Sequence, residues 1–271
     1  MTSKNIAAIV TGAASGIGLA MTLGLMKAGH DVTAVDRNAD ALEQLAKQAA
    51  GLQGSVHTVT ADLVQPDSFG HITGAALIKF GRIDALVNNA GIGQASVRND
   101  RRPIRFWETT AEQWGRFIAI NAAGPINMAR AVLPHMLVAK HGRIITVTTS
   151  LGTMVREGFL LYGSSKAAAE SAMAVLAADL AGSGVTSNVL VPGGTTDTPL
   201  VGAAPNREKM LRPTIMVPPL LWLLSDQALN VNGKRFIAAD WDTSLPPAQA
   251  AEKAGAPIAW LGIARMPIEP S

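Results

Sequence analysis

Short apolar or β-branched runs recur along this chain, at residues 6–11, 31–35, 55–60, 83–87, 143–148, 186–191 and 235–238. Several are unbroken rather than alternating, as strands buried on both faces of a parallel sheet require. Helical windows lie between them, for example 16–28, 39–49 and 67–80; in the last, Phe69, Ile72, Ala76 and Phe80 share one face and Pro66 suits the first helical position. A longer helix is predicted from Thr110, where Thr110-Ala111-Glu112-Gln113 fits a capping box, past Asn121 towards Met136, bent at Gly124-Pro125 because proline withholds a backbone donor. Alternating β and α units of this length wind into a doubly wound, mainly parallel seven-stranded α/β sheet with helices on both faces. No composition break divides the 271 residues into two domains.

Composition removes several classes of function. With no cysteine there is no disulfide, thiolate metal site or cysteine nucleophile. The five histidines are scattered without ligand spacing, so no metal is expected. The net charge of +3 comes without a basic run that could track nucleic acid, and the first apolar run is too short for a signal peptide or membrane span. A cytoplasmic protein is the expectation. Charged residues make up only 16%, which suggests that partner subunits cover part of the surface.

The first strand runs into Thr11-Gly12-Ala13-Ala14-Ser15-Gly16-Ile17-Gly18 and then a helix. Glycines at such a turn let the backbone approach a pyrophosphate, and the helix start offers free N–H groups and partial positive charge. The second strand ends in Val35-Asp36-Arg37, where an acid would receive the ribose hydroxyls of a dinucleotide. A carboxylate there favours NAD; the neighbouring Arg37 keeps NADP as the alternative. Further along, Tyr162-Gly-Ser-Ser-Lys166 puts a phenol and an ammonium one helical turn apart on one face. A nearby cation favours the phenolate and suits the tyrosine to proton transfer.

Together these features resemble the short-chain dehydrogenase/reductase family, whose glycine pattern is Thr-Gly-x-x-x-Gly-x-Gly and whose domain is a single Rossmann-type fold. The resemblance spans residues 5–240. It implies that Gly12, Ser15, Gly16, Ile17 and Gly18 cradle the cofactor and that Asp62-Leu63 meets adenine. It implies that Asn88-Asn89-Ala90-Gly91 stabilises the sheet and lines the cofactor, and that Pro192-Gly193 holds the nicotinamide end, with Thr195 among the hydroxyls offered to the carboxamide. Tyr162 would be the general acid/base, Lys166 would lower its pKa and contact the nicotinamide ribose, and Asn121 would hold a water leading from Lys166. Where the family places a substrate-orienting serine, thirteen residues before the tyrosine, this chain has Thr149; Ser150 is the alternative. A one-residue shift on a strand turns a side chain to the other face, so Thr149 is preferred. The implied reaction is reversible hydride transfer between a nicotinamide and a secondary alcohol or ketone. A 3-oxoacyl thioester reductase using NADPH, or a non-catalytic nucleotide-binding regulator, are the alternatives.

Substrate selection is expected in two places. Between Gly91 and Asn121 the chain is longer than the family usually has, and Arg98, Arg101, Arg102 and Arg105 with Trp107 occupy the excess. They could receive a carboxylate or phosphate, or be a solvated loop or subunit contact. Residues 198–216 correspond to the family's substrate loop, and Leu200, Val201, Met210 and Leu211 suggest a partly hydrophobic pocket. The main domain is placed at 1–243, and the apolar segment 244–271 is expected to dock on it or on a neighbouring subunit of a homodimer or homotetramer.

Overall fold

The computed structural model describes residues 5–98, 102–203 and 206–263. Seven strands are parallel: β1 (Ala7–Thr11), β2 (Asp31–Asp36), β3 (Val56–Thr60), β4 (Ala85–Asn88), β5 (Gly142–Val147), β6 (Val185–Val191) and β7 (Lys234–Ile237). They stand in the order β3-β2-β1-β4-β5-β6-β7, so the chain reverses direction across the sheet between β1 and β4. That crevice, beyond the carboxyl ends of the strands, is where such sheets bind ligands. An eighth strand, β8 (Gly255–Pro257), pairs antiparallel with β7, so the sheet has one strand more than the seven expected. Gly255-Ala256-Pro257 has no strand-like composition; it is extended because β7 offers it an unpaired edge.

The helices cover both faces. On one side α1 (Gly16–Lys27), α2 (Ala39–Ala49), α8 (Val217–Leu223) and α9 (Pro247–Ala254) bury Met21, Leu25, Leu42, Leu45, Leu220 and Ala251 in one cluster. On the other, α3 (Ser68–Phe80), α5 (Gly124–Ala139) and α7 (Leu160–Asp179) bury Ile72, Met128, Val132, Met136 and Met173 in a second. Helix α3 starts two residues after Pro66, which lies in the preceding turn rather than in the helix: the turn is closed by Ser68 Oγ donating to the Asp62 carbonyl at 2.8 Å.

The predicted long helix is two helices. α4 (Ala111–Ile118) begins at a capping box in which Thr110 and Gln113 bond reciprocally. A wider, π-type turn, Ala119–Ala123, then leads into α5. Pro125 has no N–H to return to the carbonyl of Asn121 four residues earlier, and the regular ladder gives way there. The π-type turn carries Asn121, whose side chain is fully buried.

A short helix, α6 (Leu151–Met154), precedes α7. After α9 the chain adds β8, and Ile258 is wholly buried, its N–H donating to the Gly233 carbonyl at 3.0 Å. Among the described residues no helix is long and apolar enough to cross a membrane, and none of their His, Asp and Glu side chains form a group of three that could hold a metal ion.

Candidate active site

The turn between β1 and α1 is shaped by backbone that only glycine tolerates. Gly12 and Gly16 have φ of +63° and +51°. A Cβ on Gly12 would come within 2.8 Å of the Ala90 Cα, and one on Gly18 within 1.9 Å of the Gly12 carbonyl oxygen. Thr11 ties this turn to the end of β4: its hydroxyl accepts from the N–H groups of Asn89 and Ala90, both at 3.1 Å. Asn89 returns the tie by donating to the carbonyls of Thr11 and Gly12 at 3.0 and 3.1 Å. Asn88 reaches the other way, donating to the Pro125 carbonyl at 3.2 Å, so β4 is held to α5. At the end of β2 the Asp36 carboxylate accepts from the Ala14 N–H at 3.2 Å and from the Asn38 N–H at 3.1 Å, which fixes it beside the glycine turn. Arg37 next to it is exposed.

Tyr162 and Lys166 stand on the first turns of α7. Phe117, fully buried with Ile92 and Leu161, forms the apolar floor against which Tyr162 packs. Burying a side chain of that size stabilises by about 1.5–3 kcal/mol, enough to hold the tyrosine's end of the helix in place. The Thr149 side chain stands near enough to the Tyr162 phenol to favour its ionised form. Burial nonetheless pushes the phenol up to about 12, the Thr149 hydroxyl working in the opposite direction. Burial also pushes the Lys166 ammonium down to about 8, and its Nζ donates to the Val147 carbonyl at 2.9 Å. A phenol lowered by the lysine is the sequence expectation; here desolvation dominates, and Lys166 is anchored to the end of β5.

The other candidates fall around this pair. Ser150 is turned aside, its Oγ 2.7 Å from the Thr153 hydroxyl at the start of α6. Asn121 bonds both polar groups of Ile92, accepting from its N–H at 2.8 Å and donating to its carbonyl at 3.0 Å, and also donates to Ser165 Oγ at 3.0 Å. A Cβ on Gly91 would lie 3.1 Å from Asn121 Oδ1 and 3.4 Å from Lys166 Nζ, so a side chain there would crowd the lysine.

One cavity of about 820 Å³ runs through all of this. Its walls include Gly12, Ser15, Gly16, Ile17, Asp36, Arg37, Asp62, Leu63, Asn89, Ala90 and Gly91, and then Thr149, Ser150, Tyr162, Lys166, Pro192, Gly193 and Thr195. Not every predicted residue lines it. Gly18 lies beneath the turn, where its lack of a side chain lets α1 abut Gly12, and Asn121 is behind Ile92. Arg98 and Arg102 are on the wall; Arg105 and Trp107 are not, and Arg101 lies outside the described residues. Leu200 and Val201 line the cavity, whereas Met210 and Leu211 do not. Leu211 instead pairs with Thr196 in a parallel bridge, and Asp197 binds both Arg207 and Arg212, the latter at 2.8 Å, so the two ends of this segment are tied to each other.

Several site residues carried no signal in the sequence. Thr198 packs its Cβ against Gly16, where a glycine Cβ would sit 3.0 Å away. Arg156 and Phe159 line the cavity beyond Tyr162. Behind Thr149 lies a buried ion pair: Arg235 Nε donates to Glu170 Oε1 at 2.9 Å, and Arg235 Nη2 donates to the Thr149 carbonyl at 2.6 Å. An arginine inside β7 breaks the apolar run, which is the one hint the sequence holds of it.

A doubly wound parallel sheet with a glycine turn at its crevice, and a hydroxyl, a phenol and an ammonium gathered beyond β5, define a dinucleotide-dependent oxidoreductase class. Residues 6–209 match the family model described as short chain dehydrogenase, and the chain belongs to that family. The protein is accordingly an oxidoreductase acting on CH–OH or keto groups. It is 32% identical over 237 residues to the 3-oxoacyl-[acyl-carrier-protein] reductase of Thermotoga maritima, covering 83% of this chain and 93% of that one. It is 36% identical over 197 residues to the 1-deoxy-11-beta-hydroxypentalenate dehydrogenase of Streptomyces exfoliatus, covering 72% and 69%. The crystal structure of a 3-ketoacyl-(acyl-carrier-protein) reductase from Brucella melitensis complexed with NADH superposes with a TM-score of 0.74 at 27% identity, over 86% of this chain and 95% of that one.

Proposed function

We propose that this protein reversibly transfers hydride between a nicotinamide cofactor, NAD in preference to NADP, and a secondary alcohol or ketone, with Tyr162 as the proton carrier. The observation that carries the reading is one cavity lined both by the glycine turn and Asp36 and by Thr149, Tyr162 and Lys166. The residues fit a dinucleotide: Gly12 and Gly16 leave backbone bare where a pyrophosphate would lie, and Asp36 is already fixed where ribose hydroxyls would arrive. The NADH complex of the Brucella reductase supports the same assignment. When bound, the nicotinamide supplies or accepts the hydride.

The chain's own residues manage the proton and the orientation. With its phenol pushed up to about 12, Tyr162 is protonated at neutral pH and is poised to donate to a carbonyl oxygen in reduction. In oxidation the same oxygen, as the phenolate, takes the alcohol proton. Thr149 stands where its hydroxyl can bond both the phenol and a substrate oxygen, which polarises the carbonyl as charge develops. The engagement of Ser150 with Thr153 supports Thr149 in that role.

The test is NADH and NADPH consumption at 340 nm with a panel of ketones, oxo acids and 3-oxoacyl thioesters. Turnover is expected with NADH favoured, and Tyr162→Phe should lower kcat at least ~10²-fold while NADH binding is kept. Full activity in Tyr162→Phe would remove the tyrosine from the chemistry. Preference for the thioesters would select the 3-oxoacyl reductase reading, which the names of the Thermotoga and Brucella relatives favour.

A further inference from the structure

The wall of the cavity beyond Tyr162 is built by two segments clasped together. Gln94 donates from its side chain to the Gly158 carbonyl, Arg105 pairs with Glu157, and a Cβ on Gly158 would lie 2.7 Å from Pro103 Cβ. The clasp brings Arg98, Arg102 and Arg156 to one end of the cavity, away from the glycine turn. Among the described residues, two carboxylates pair with arginines of this clasp. Glu157 is taken by Arg105, and Glu108 accepts from the Arg105 N–H at 2.8 Å and from Arg98 at 3.3 Å. Arg156 has no carboxylate partner among the described residues. Its guanidinium lies over the Phe159 ring, 4.9 Å from the centroid, and Phe159 in turn meets the Tyr162 ring edge-on at 6.4 Å. Stacking fixes the plane of a guanidinium while leaving its N–H edges available, which is the arrangement that receives a planar or tetrahedral oxyanion.

Resting on the hydride-transfer reading above, we propose that Arg156, aided by Arg98, forms an oxyanion subsite one aromatic ring away from the Tyr162 hydroxyl. The substrate is then a ketone or secondary alcohol that also carries a carboxylate, phosphate or sulfonate. Ile92, Ile104 and Leu200 also line the cavity and offer apolar surface to the carbons between its two polar groups. The charges on the wall do two things: they raise the local concentration of anions, and they fix the substrate's register so that its carbonyl meets Thr149 and Tyr162.

The experiment uses the full chain with NADH and a series of oxo carboxylates of graded length, each beside its methyl ester, with oxo-alkyl phosphates as a further arm. The acids or the phosphates should exceed their neutral counterparts by ~10-fold or more in kcat/KM, and which of the two wins names the oxyanion. Arg156→Gln should bring the acid-to-ester ratio towards one, mostly through KM, and Arg156→Lys should restore part of it. Arg130→Gln, an exposed arginine on α5 outside the cavity, should leave the ratio intact. Equal turnover of acids and esters, or an Arg156→Gln ratio like that of the parent, overturns the subsite alone. Absence of turnover for every pair overturns the hydride-transfer reading and the subsite with it.

Discussion

Thr149 and Ser150 are adjacent hydroxyls with different partners, and the difference sets what each can do. The Thr149 hydroxyl stands beside the phenol and favours the phenolate that burial disfavours. Thr149→Val keeps the shape and removes the hydroxyl, so the phenol moves further up. Oxidation, which needs the phenolate, should then show its rising alkaline limb at higher pH and turn over ~10-fold or more slowly, whereas Thr149→Ser should keep the parent limb. Ser150→Ala should cost less, because its Oγ is engaged with Thr153 rather than with the phenol. A pH profile of kcat for the three variants decides it, and the assignment fails if Ser150→Ala proves the more damaging. Spacing to Tyr162 and the strand's two-residue period were enough to prefer Thr149 from the sequence. The same reasoning could not anticipate that Lys166 bonds the Val147 carbonyl or that burial outweighs it, since desolvation depends on what packs above the helix. Arg156 was equally hidden: its place over Phe159 follows from the clasp between two distant loops.

Strands and helices were largely legible, because unbroken apolar runs and 3.6-residue periods report burial directly. The exceptions are elements whose existence depends on another element. β8 is extended only because β7 has a free edge, and the π-type turn reflects the missing N–H of Pro125 more than any pattern in Ala119–Ala123. The Glu170–Arg235 pair belongs to this scale too, since it joins α7 to β7 across 65 positions. Both side chains are buried, at 0% and 4% exposure, and Glu170 also accepts from the Thr148 hydroxyl at 2.6 Å. Removing one partner strands the other charge, which typically costs about 3–5 kcal/mol. Arg235→Met should therefore be destabilised by that order in urea unfolding. The double variant Arg235→Met with Glu170→Gln should recover most of the loss, since a neutral amide is cheaper to bury than an unpaired carboxylate. Single and double variants with equal deficits would show that packing, not charge, is what the site requires.

At the scale of the whole molecule, this pair connects the C-terminal segment to the chemistry. Glu170 Oε1 accepts from the Ala259 N–H at 3.1 Å, just past the buried Ile258, and Arg235, held by the same carboxylate, donates to the Thr149 carbonyl. The segment after α9 thus touches a network that ends at the backbone carbonyl of Thr149, the residue beside Tyr162. Ending the chain at Ala254 would bare the backbone edge of β7, remove Ile258 from the core and leave Glu170 with one donor fewer. Two effects should follow: a lower melting temperature, and a fall in kcat larger than the change in KM for NADH, because the glycine turn and Asp36 stand at the far end of the cavity. The comparison needs thermal melts and steady-state kinetics of the shortened chain beside Ile258→Ala, which disturbs the packing but keeps the Ala259 N–H. If shortening lowers the melting temperature and leaves kcat untouched, the segment braces the sheet edge and has no hold on Thr149. A larger loss of kcat in the shortened chain than in Ile258→Ala, at matched stability, locates the coupling at Glu170.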